Sequence, residues 1–269
     1  MLIAIDVGNS RIKLGLFGNS HGATPDQELP RCLDSLAVEI DEAIPWDRLA
    51  EWKNHGPKPV QAVILGGVNP RGRDKVLDGW PVTGWPAPTV VDSPFVLPIE
   101  INVDSPRMVG VDRLLNAIAA NVIRPANKAV IIIDSGTATT VDVVSAQGTF
   151  EGGAILPGFQ ICSRALHQYA ALLPLIPNQE LDGDAPQALG KNTRDAIKSG
   201  LFWGQLGAVK ELVQLLSQSL EGDPIVIVTG GAGRVLAPHM PNGVLHEPFF
   251  ALQGLIIVGY EIMRSQKNH

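Results

Sequence analysis

Each half of the chain opens with a short apolar run that ends in an acidic residue. The first run ends at Asp6 and the second at Asp134, and a glycine-containing turn follows each acid. A second run of apolar and β-branched residues comes after each turn, at residues 12–17 and 139–144. Short apolar runs bounded by turn residues are typical of buried strands. The first pattern predicts a β-hairpin, and the second repeats it.

Helical and strand-like spacings alternate along the rest of the chain. The first half is predicted to contain helices at 46–55, 71–77 and 111–122 and strands at 60–65 and 89–91. The second half is predicted to contain a loop rich in glycine and proline at 152–158, a helix at 193–220, a strand at 225–228 and a closing helix at 250–264. This alternation predicts the α/β class.

The two halves also match residue by residue at their openings. Aligning Asp6 with Asp134 places Gly8 on Gly136, and the difference between positions 134 and 6 gives a period of 128 residues. Solenoid repeats are far shorter than this period. We therefore predict two duplicated domains, at residues 1–122 and 123–269, with a cleft between them.

Composition narrows the range of ligands and locations. The chain has 269 residues and a net charge of -6 without a basic run, which argues against nucleic acid as a main ligand. No apolar stretch approaches the roughly 20 residues of a membrane span, and no basic leader precedes Asp6. The two distant cysteines, Cys32 and Cys162, are typical of a reduced compartment. We expect a cytoplasmic protein that binds neither nucleic acid nor membrane.

The turn after the first strand has the composition of a phosphate site. Gly8 allows close approach of the backbone to a ligand, Asn9 and Ser10 offer hydrogen-bond donors, and Lys13 follows on the next strand. Asp6 would hold Mg²⁺, directly or through water. An ordinary hairpin turn with a solvated lysine is the alternative, but the second acidic turn at the matched position favours the phosphate site.

A further glycine-rich turn follows the strand at 225–228. Gly230 and Gly231 there would let an adenine or ribose approach the backbone, although a packing role explains such a turn equally well. The sequence contains neither the phosphate-binding loop Gly-x-x-x-x-Gly-Lys-Ser/Thr nor a strand-associated Gly-x-Gly-x-x-Gly fingerprint. P-loop and Rossmann interpretations therefore lose support.

Two predicted helices begin with residues suited to an acceptor site. Asp112 and Arg113 open the helix at 111–122, where they supply a base and a cation for an anionic substrate, or only a helix cap and an ion pair. Thr193 opens the helix at 193–220, where it caps the helix or offers its hydroxyl to a carboxylate. The six histidines show no metal-ligand spacing.

Taken in order, these motifs resemble the type III pantothenate kinase family along nearly the whole chain. The resemblance rests on six motifs, namely Asp6-Val7-Gly8-Asn9-Ser10 with Lys13, Gly110-Val111-Asp112-Arg113, Asp134-Ser135-Gly136-Thr137, the segment 151–174, Gly190-Lys191-Asn192-Thr193 and Thr229-Gly230-Gly231. It implies two ribonuclease H-like domains of the actin-like ATPase superfamily, with mixed β-sheets flanked by helices. It also implies a homodimer, for which Trp203 and the apolar stretch 165–175 are candidate interface residues.

The resemblance further implies roles for single residues. Asp112 would be the general base, and Asp134 would bind a monovalent cation, K⁺ or NH₄⁺. The residues that would hold pantothenate are Gly110, Val111, Asp112, Arg113 and Thr193. The residues that would bind ATP are Asp6, Val7, Gly8, Asn9, Ser10, Arg11, Ile12, Lys13, Thr137, Gly230 and Gly231. The implied reaction is ATP-dependent phosphorylation of pantothenate to 4'-phosphopantothenate, the first step of coenzyme A synthesis.

The chain departs from the family pattern at two places. Val103 stands where many members carry a tyrosine, which puts pantothenate packing in doubt, and Gly66-Gly67 stands where Ser-Ser is usual, for which we expect a structural effect. Two other functions remain open at this point. One is a kinase of another small hydroxylated acceptor on the same fold. The other is a catalytically weak accessory or regulatory protein that binds nucleotide, although retention of all four charged residues, Asp6, Lys13, Asp112 and Asp134, argues against it.

Overall fold

The computed structural model describes residues 1–18, 28–54, 59–81, 84–181 and 183–267. Its contacts divide the chain into two compact units. The first unit joins Met1–Ile123 to Phe249–His269, and the second is the continuous segment Arg124–Pro248.

Within these described residues, ten strands form two five-stranded sheets. The strands are β1 Leu2–Val7, β2 Arg11–Phe17, β3 Cys32–Glu39, β4 Ala62–Gly67, β5 Pro88–Val91, β6 Val130–Ser135, β7 Ala138–Val144, β8 Phe150–Pro157, β9 Ile225–Thr229 and β10 Leu245–His246. The first sheet has the order β3-β2-β1-β4-β5 and the second has the order β10-β9-β6-β7-β8.

The described part of the chain also contains eight α-helices. They are α1 Trp46–Ala50, α2 Pro70–Asp78, α3 Val111–Ile123, α4 Phe159–Tyr169, α5 Asn178–Leu181, α6 Thr193–Gln218, α7 Gly233–Leu236 and α8 Phe250–Lys267, with 3-10 turns at Glu51–Asn54, Pro94–Val96, Pro106–Met108 and Ala237–His239. None of the described helices is long and apolar enough to cross a membrane. Residue 55, the predicted end of the first helix, lies outside the described residues.

The two sheets share one topology. In each, an antiparallel hairpin pairs the first and second strands, while the first strand pairs in parallel with the strand on its other side. Each second strand also shifts register at its end, between Leu16 and Phe17 in β2 and between Val143 and Val144 in β7. Two mixed sheets flanked by helices confirm the predicted α/β fold with a duplicated architecture.

Helix α8 belongs to the first unit, although we predicted it as part of the second domain. It packs on β1, β4 and α3, because two of its glycines allow close approach. A side chain at Gly254 would lie 2.1 Å from the carbonyl oxygen of Leu115, and one at Gly259 would lie 2.6 Å from the Ile64 side chain. The predicted boundary, which gave all residues after 122 to one domain, is therefore wrong for the end of the chain.

The segment 152–158 is mostly strand rather than the predicted loop. Its glycines are required by the sheet itself, since a side chain at Gly153 would lie 2.1 Å from the carbonyl oxygen of Val141 on β7, and Gly152 has a φ of 94°. Strand β3 was also absent from the prediction, because its inward and outward positions do not alternate cleanly.

Candidate active site

The hairpin β1–β2 carries the first group of predicted site residues. Asp6 and Lys13 are cross-strand partners, and the Lys13 Nζ lies 3.7 Å from the Asp6 Oδ2. Asp6 is only 4% exposed. The N–H of Gly8 donates to the carbonyl oxygen of Arg11 at 2.9 Å and closes the turn. The hairpin thus places a buried carboxylate, an ammonium group and a tight turn at one end of the sheet.

Three other predicted ATP residues on this hairpin have different surroundings. The side chains of Val7 and Ile12 are fully buried in the core of the unit, so only their backbone groups are available to a ligand. Arg11 forms an ion pair with Glu39, with its Nε 2.7 Å from Oε1.

Strand β4 ends directly against this hairpin, at Gly67. Gly67 has a φ of 134°, and a side chain there would lie 2.3 Å from the carbonyl oxygen of Val7. The next residue, Val68, donates its N–H to the same oxygen at 2.9 Å. A residue with a side chain would be strained here by its φ as well as by the contact. Glycine at this position therefore lets the end of β4 pack against the end of β1.

A pocket of about 330 Å³ lies in the first unit at the carboxyl ends of β1, β4 and β5. Ligands in α/β proteins bind at such strand ends. The predicted pantothenate residues Gly110 and Val111 line it together with Val7 and Gly67. The start of α3 and the end of β1 therefore share one pocket.

Asp112 is the second residue of α3, and its carboxylate lies beside Gly110. Its Oδ1 accepts a hydrogen bond from the N–H of Arg113 at 2.9 Å. A side chain at Gly110 would lie 2.5 Å from this Oδ1. Gly110 therefore leaves the space that the Asp112 carboxylate occupies.

In the second unit the structure brings Asp134 and Gly230 together. Gly230 follows β9 with a φ of 86°, and a side chain there would lie 2.4 Å from the Asp134 Oδ1. The N–H of Ala232 donates to the carbonyl oxygen of Ser135 at 2.9 Å and holds the turn in place. Gly231, between Gly230 and Ala232, is exposed.

Gly67 and Gly230 are a second matched pair that the sequence analysis missed. The register pairs Asp6 with Gly66 and Asp134 with Thr229, so each glycine lies one residue past the partner of the acid. Both have a positive φ and both touch the end of the central strand. The available signal was a glycine at the end of β4 and another directly after β9. The alignment based on the two acids alone did not relate these two glycines.

Thr137 contacts a residue whose role was also missed. Gly158 donates its N–H to the carbonyl oxygen of Thr137 at 3.1 Å, and a side chain at Gly158 would lie 2.5 Å from that oxygen. Gly158 is also the residue before α4. The turn after β6 is thus fixed by the start of α4.

Thr193 is the first residue of α6, but it does not cap the helix. Asn192 is the cap, since its Oδ1 accepts the N–H of Asp195 at 2.9 Å and its Nδ2 donates to the Asp195 Oδ2 at 2.7 Å. A capping role for Thr193 is therefore wrong, and its exposed side chain remains available to a ligand.

Comparisons with known proteins agree with this arrangement of sheets and turns. Two solved structures are similar in fold. The activator of the 2-hydroxyisocaproyl-CoA dehydratase from Clostridium difficile, with bound ADPNP, has a TM-score of 0.53 and 11% identity and aligns over 100% of this chain and 97% of its own. A ROK family glucokinase from Streptomyces griseus, in complex with glucose and AMPPNP, has a TM-score of 0.52 and 15% identity over 97% of this chain and 98% of its own. Both likenesses establish the fold alone.

Sequence relatives are more specific. The family model described as type III pantothenate kinase matches residues 2–215. The type III pantothenate kinase of Caulobacter vibrioides is 34% identical over 233 residues, which is 86% of each chain. That of Geobacter sulfurreducens is 33% identical over 279 aligned positions, covering 98% of this chain and 100% of its own. Because the family model and these relatives cover most of the chain, it belongs to the type III pantothenate kinase family.

Proposed function

We propose that this protein phosphorylates pantothenate to 4'-phosphopantothenate with ATP, the first step of coenzyme A synthesis. The observation that carries the proposal is the pocket at the carboxyl ends of β1, β4 and β5, which two predicted acceptor residues, Gly110 and Val111, line together with Val7, the residue before the predicted phosphate turn. Family membership supplies the substrate.

The hairpin after β1 is proposed to bind the ATP phosphates. Asn9 and Ser10 offer donors at its tip, Gly8 allows the phosphates to approach the backbone closely, and the Lys13 ammonium adds a positive charge. In the second unit, Thr137, Gly230 and Gly231 are proposed to contact ATP as well. The positive φ of Gly230 supports this role, because it favours glycine, and a glycine leaves the backbone open to a ligand.

Asp6 and Asp134 are proposed to hold the cations. Carboxylate oxygens suit Mg²⁺ and K⁺, and Mg²⁺ commonly uses one or two carboxylates, water and substrate phosphates. That pattern fits the described part of the chain, where no three acidic, histidine or cysteine side chains gather into a metal site. Mg²⁺, when bound, would neutralise charge on the transferred phosphoryl group. Asp134 is proposed for the monovalent cation, K⁺ or NH₄⁺.

Asp112 is proposed to orient the primary hydroxyl of pantothenate and to accept its proton. The backbone hydrogen bond from Arg113 fixes one of its oxygens beside Gly110, which lines the pocket. A carboxylate positioned in this way supplies the base that phosphoryl transfer requires. Gly110, Val111, Arg113 and Thr193 are proposed to hold the rest of the substrate.

A homodimer is proposed from the apolar surface of the second unit. Large hydrophobic side chains on β8, on α4 and after it are exposed, among them Ile155 at 64%, Tyr169 at 83% and Leu172 at 92%. Trp203 on α6 is 38% exposed. Exposed apolar side chains that form one patch mark an interaction surface, and we propose that these residues form such a patch. We also propose a cytoplasmic location, in keeping with two free thiols whose pKa values are raised by burial.

The test is ATP consumption by the purified protein with Mg²⁺, with and without pantothenate, in K⁺, NH₄⁺ and Na⁺ buffers. We expect turnover that depends on pantothenate and is fastest with K⁺ or NH₄⁺. Turnover only with another acceptor from a panel of hydroxylated acids would reassign the substrate. ATP binding without turnover on any acceptor would favour the accessory protein.

A further inference from the structure

The pocket of the first unit contains a cation that the proposed function leaves unused. Arg107 belongs to the 3-10 turn Pro106–Met108 and lines the pocket with Gly110 and Val111. The short turn thus brings a guanidinium group to the pocket that two predicted acceptor residues, Gly110 and Val111, also line. Arg113, the other cation proposed for pantothenate, is not among the residues that line this pocket.

The side chain of Arg107 packs against an aromatic ring. Its guanidinium carbon lies 5.7 Å from the centroid of the Phe95 ring, at the distance of a cation–π contact. Within the described residues, no carboxylate lies at ion-pair distance from it. Its donors therefore remain available to an anion that enters the pocket.

The second arginine of the pocket differs in this respect. The Nη1 of Arg73 lies 3.1 Å from the Oδ2 of Asp92, which also lines the pocket, and its Nε lies 3.3 Å from the Oδ1 of Asp74. Its charge is compensated by these carboxylates, and the Asp92 charge is compensated in turn. Among the described residues that line the pocket, Arg107 therefore carries the charge that no carboxylate compensates.

We propose that Arg107 is a specificity-determining residue that binds the carboxylate of the acceptor. Pantothenate carries its reactive hydroxyl at one end and a carboxylate at the other. Arg107 lines the pocket, and the proposed base Asp112 directly follows the lining residues Gly110 and Val111, so the two groups match the two ends of the substrate. The forked guanidinium is suited to hold a carboxylate through two hydrogen bonds. The pocket volume of about 330 Å³ falls in the range of small-molecule sites. This inference rests on the proposed function.

The experiment compares pantothenate with its alcohol, pantothenol, which keeps the reactive hydroxyl and lacks the carboxylate. In the Arg107→Gln variant we expect the KM for pantothenate to rise about 10- to 100-fold, as for loss of a charged hydrogen bond. We expect kcat to change less than about twofold and the KM for pantothenol to stay unchanged, because the base and the phosphate site are intact. Arg107→Lys keeps the positive charge and loses the forked pair of donors. Its KM for pantothenate should lie between those of the wild type and Arg107→Gln.

The control variant is Arg71→Gln, which removes an exposed arginine outside the pocket on α2 and should leave both KM values unchanged. Thermal melting and ATP binding report whether each variant is folded. Equal KM changes for pantothenate and pantothenol would overturn the inference, since Arg107 would then act on the transferred phosphoryl group or on the fold. An unchanged KM for pantothenate would overturn it too. A wild type that phosphorylates neither compound would instead remove the proposed function and this inference with it.

Discussion

The carboxylate of Asp112 is oriented by its own helix and by the missing side chain of Gly110. Replacing it by asparagine keeps the shape and removes the base, so we expect Asp112→Asn to lower kcat by about 10² or more while ATP binding survives. Asp104→Asn, in the exposed segment before α3, is the matched control and should retain its activity. Steady-state kinetics and ATP titration check both variants. Near-normal turnover of the Asp112→Asn variant would exclude this residue as the base.

Gly67 is a second residue whose identity is fixed by its surroundings. Alanine there would meet the Val7 carbonyl oxygen at 2.3 Å with a φ of 134°, and we expect the free energy of unfolding to fall by about 2 kcal/mol or more. Gly207→Ala is the control, because a methyl group at this helical position meets no atom within 4 Å. It should raise stability by about 0.5–1 kcal/mol. Urea unfolding measures both, and a neutral Gly67→Ala would show that the strand end can move.

Two adjacent residues at the start of α6, Asn192 and Thr193, are expected to have different roles, one in stability and the other in binding. Asn192→Ala removes the helix cap and should cost about 1 kcal/mol of stability. Thr193→Ala removes no cap, so it should leave stability nearly unchanged and raise the KM for pantothenate. Thermal unfolding and kinetics on the two variants check this division. A larger loss of stability for Thr193→Ala than for Asn192→Ala would contradict it.

The same helix carries a pH-dependent contact near its start. Hydrogen bonds from Arg194 and Lys198 lower the pKa of Glu180 from 4.5 to about 2, and the Lys198 Nζ lies 2.8 Å from its Oε2. A lowered pKa means that the contact stabilises the fold above pH about 4.5 and that this stabilisation is lost as the pH falls toward 2. We expect Glu180→Gln to melt slightly below wild type at pH 7, with the difference shrinking between pH 4.5 and 2. A difference that persists unchanged down to pH 2 would contradict this.

Elements with a strong local pattern were predictable from the sequence, and elements defined by long-range packing were not. The hairpin after Asp6 and helix α3 have clear local patterns, and the structure confirms both of them, as well as the predicted helix α6, within a few residues. Strand β8 was missed because glycine is disfavoured in isolated strands, whereas here the neighbouring strand leaves no room for a side chain at Gly153. Which sheet a helix covers depends on contacts between distant segments, so the sequence could not assign α8.

The candidate site divides along the same line. The acids and glycine turns that are proposed to bind phosphate and cations form short motifs, so Asp6 and Asp134 could be proposed from spacing alone. Arg107 could not be found in this way, because its relation to the pocket depends on a 3-10 turn packed against Phe95.

At the scale of the whole molecule, the exposed apolar side chains of the second unit predict self-association. We expect the 28.7 kDa chain to form a dimer, and Leu172→Asp to shift it toward the monomer by placing a charge in that surface. Leu215→Asp is the control, since this residue is also exposed, at 51%, and lies about three helical turns beyond Trp203 on α6. Light scattering after size-exclusion chromatography reports the mass. A wild type that is monomeric at all concentrations would contradict the prediction.

The division of the first unit into two chain segments has a consequence for biosynthesis. The second unit is continuous and leaves the ribosome before α8, whereas the first sheet gains the helix that covers β1 and β4 only when the end of the chain emerges. Domains in most nascent chains fold in order from the amino terminus. In this protein the second unit is fully synthesised before the first unit has received α8. We therefore expect the amino-terminal sheet to keep an uncovered apolar face during translation, and this sheet is the part that a chaperone would need to protect.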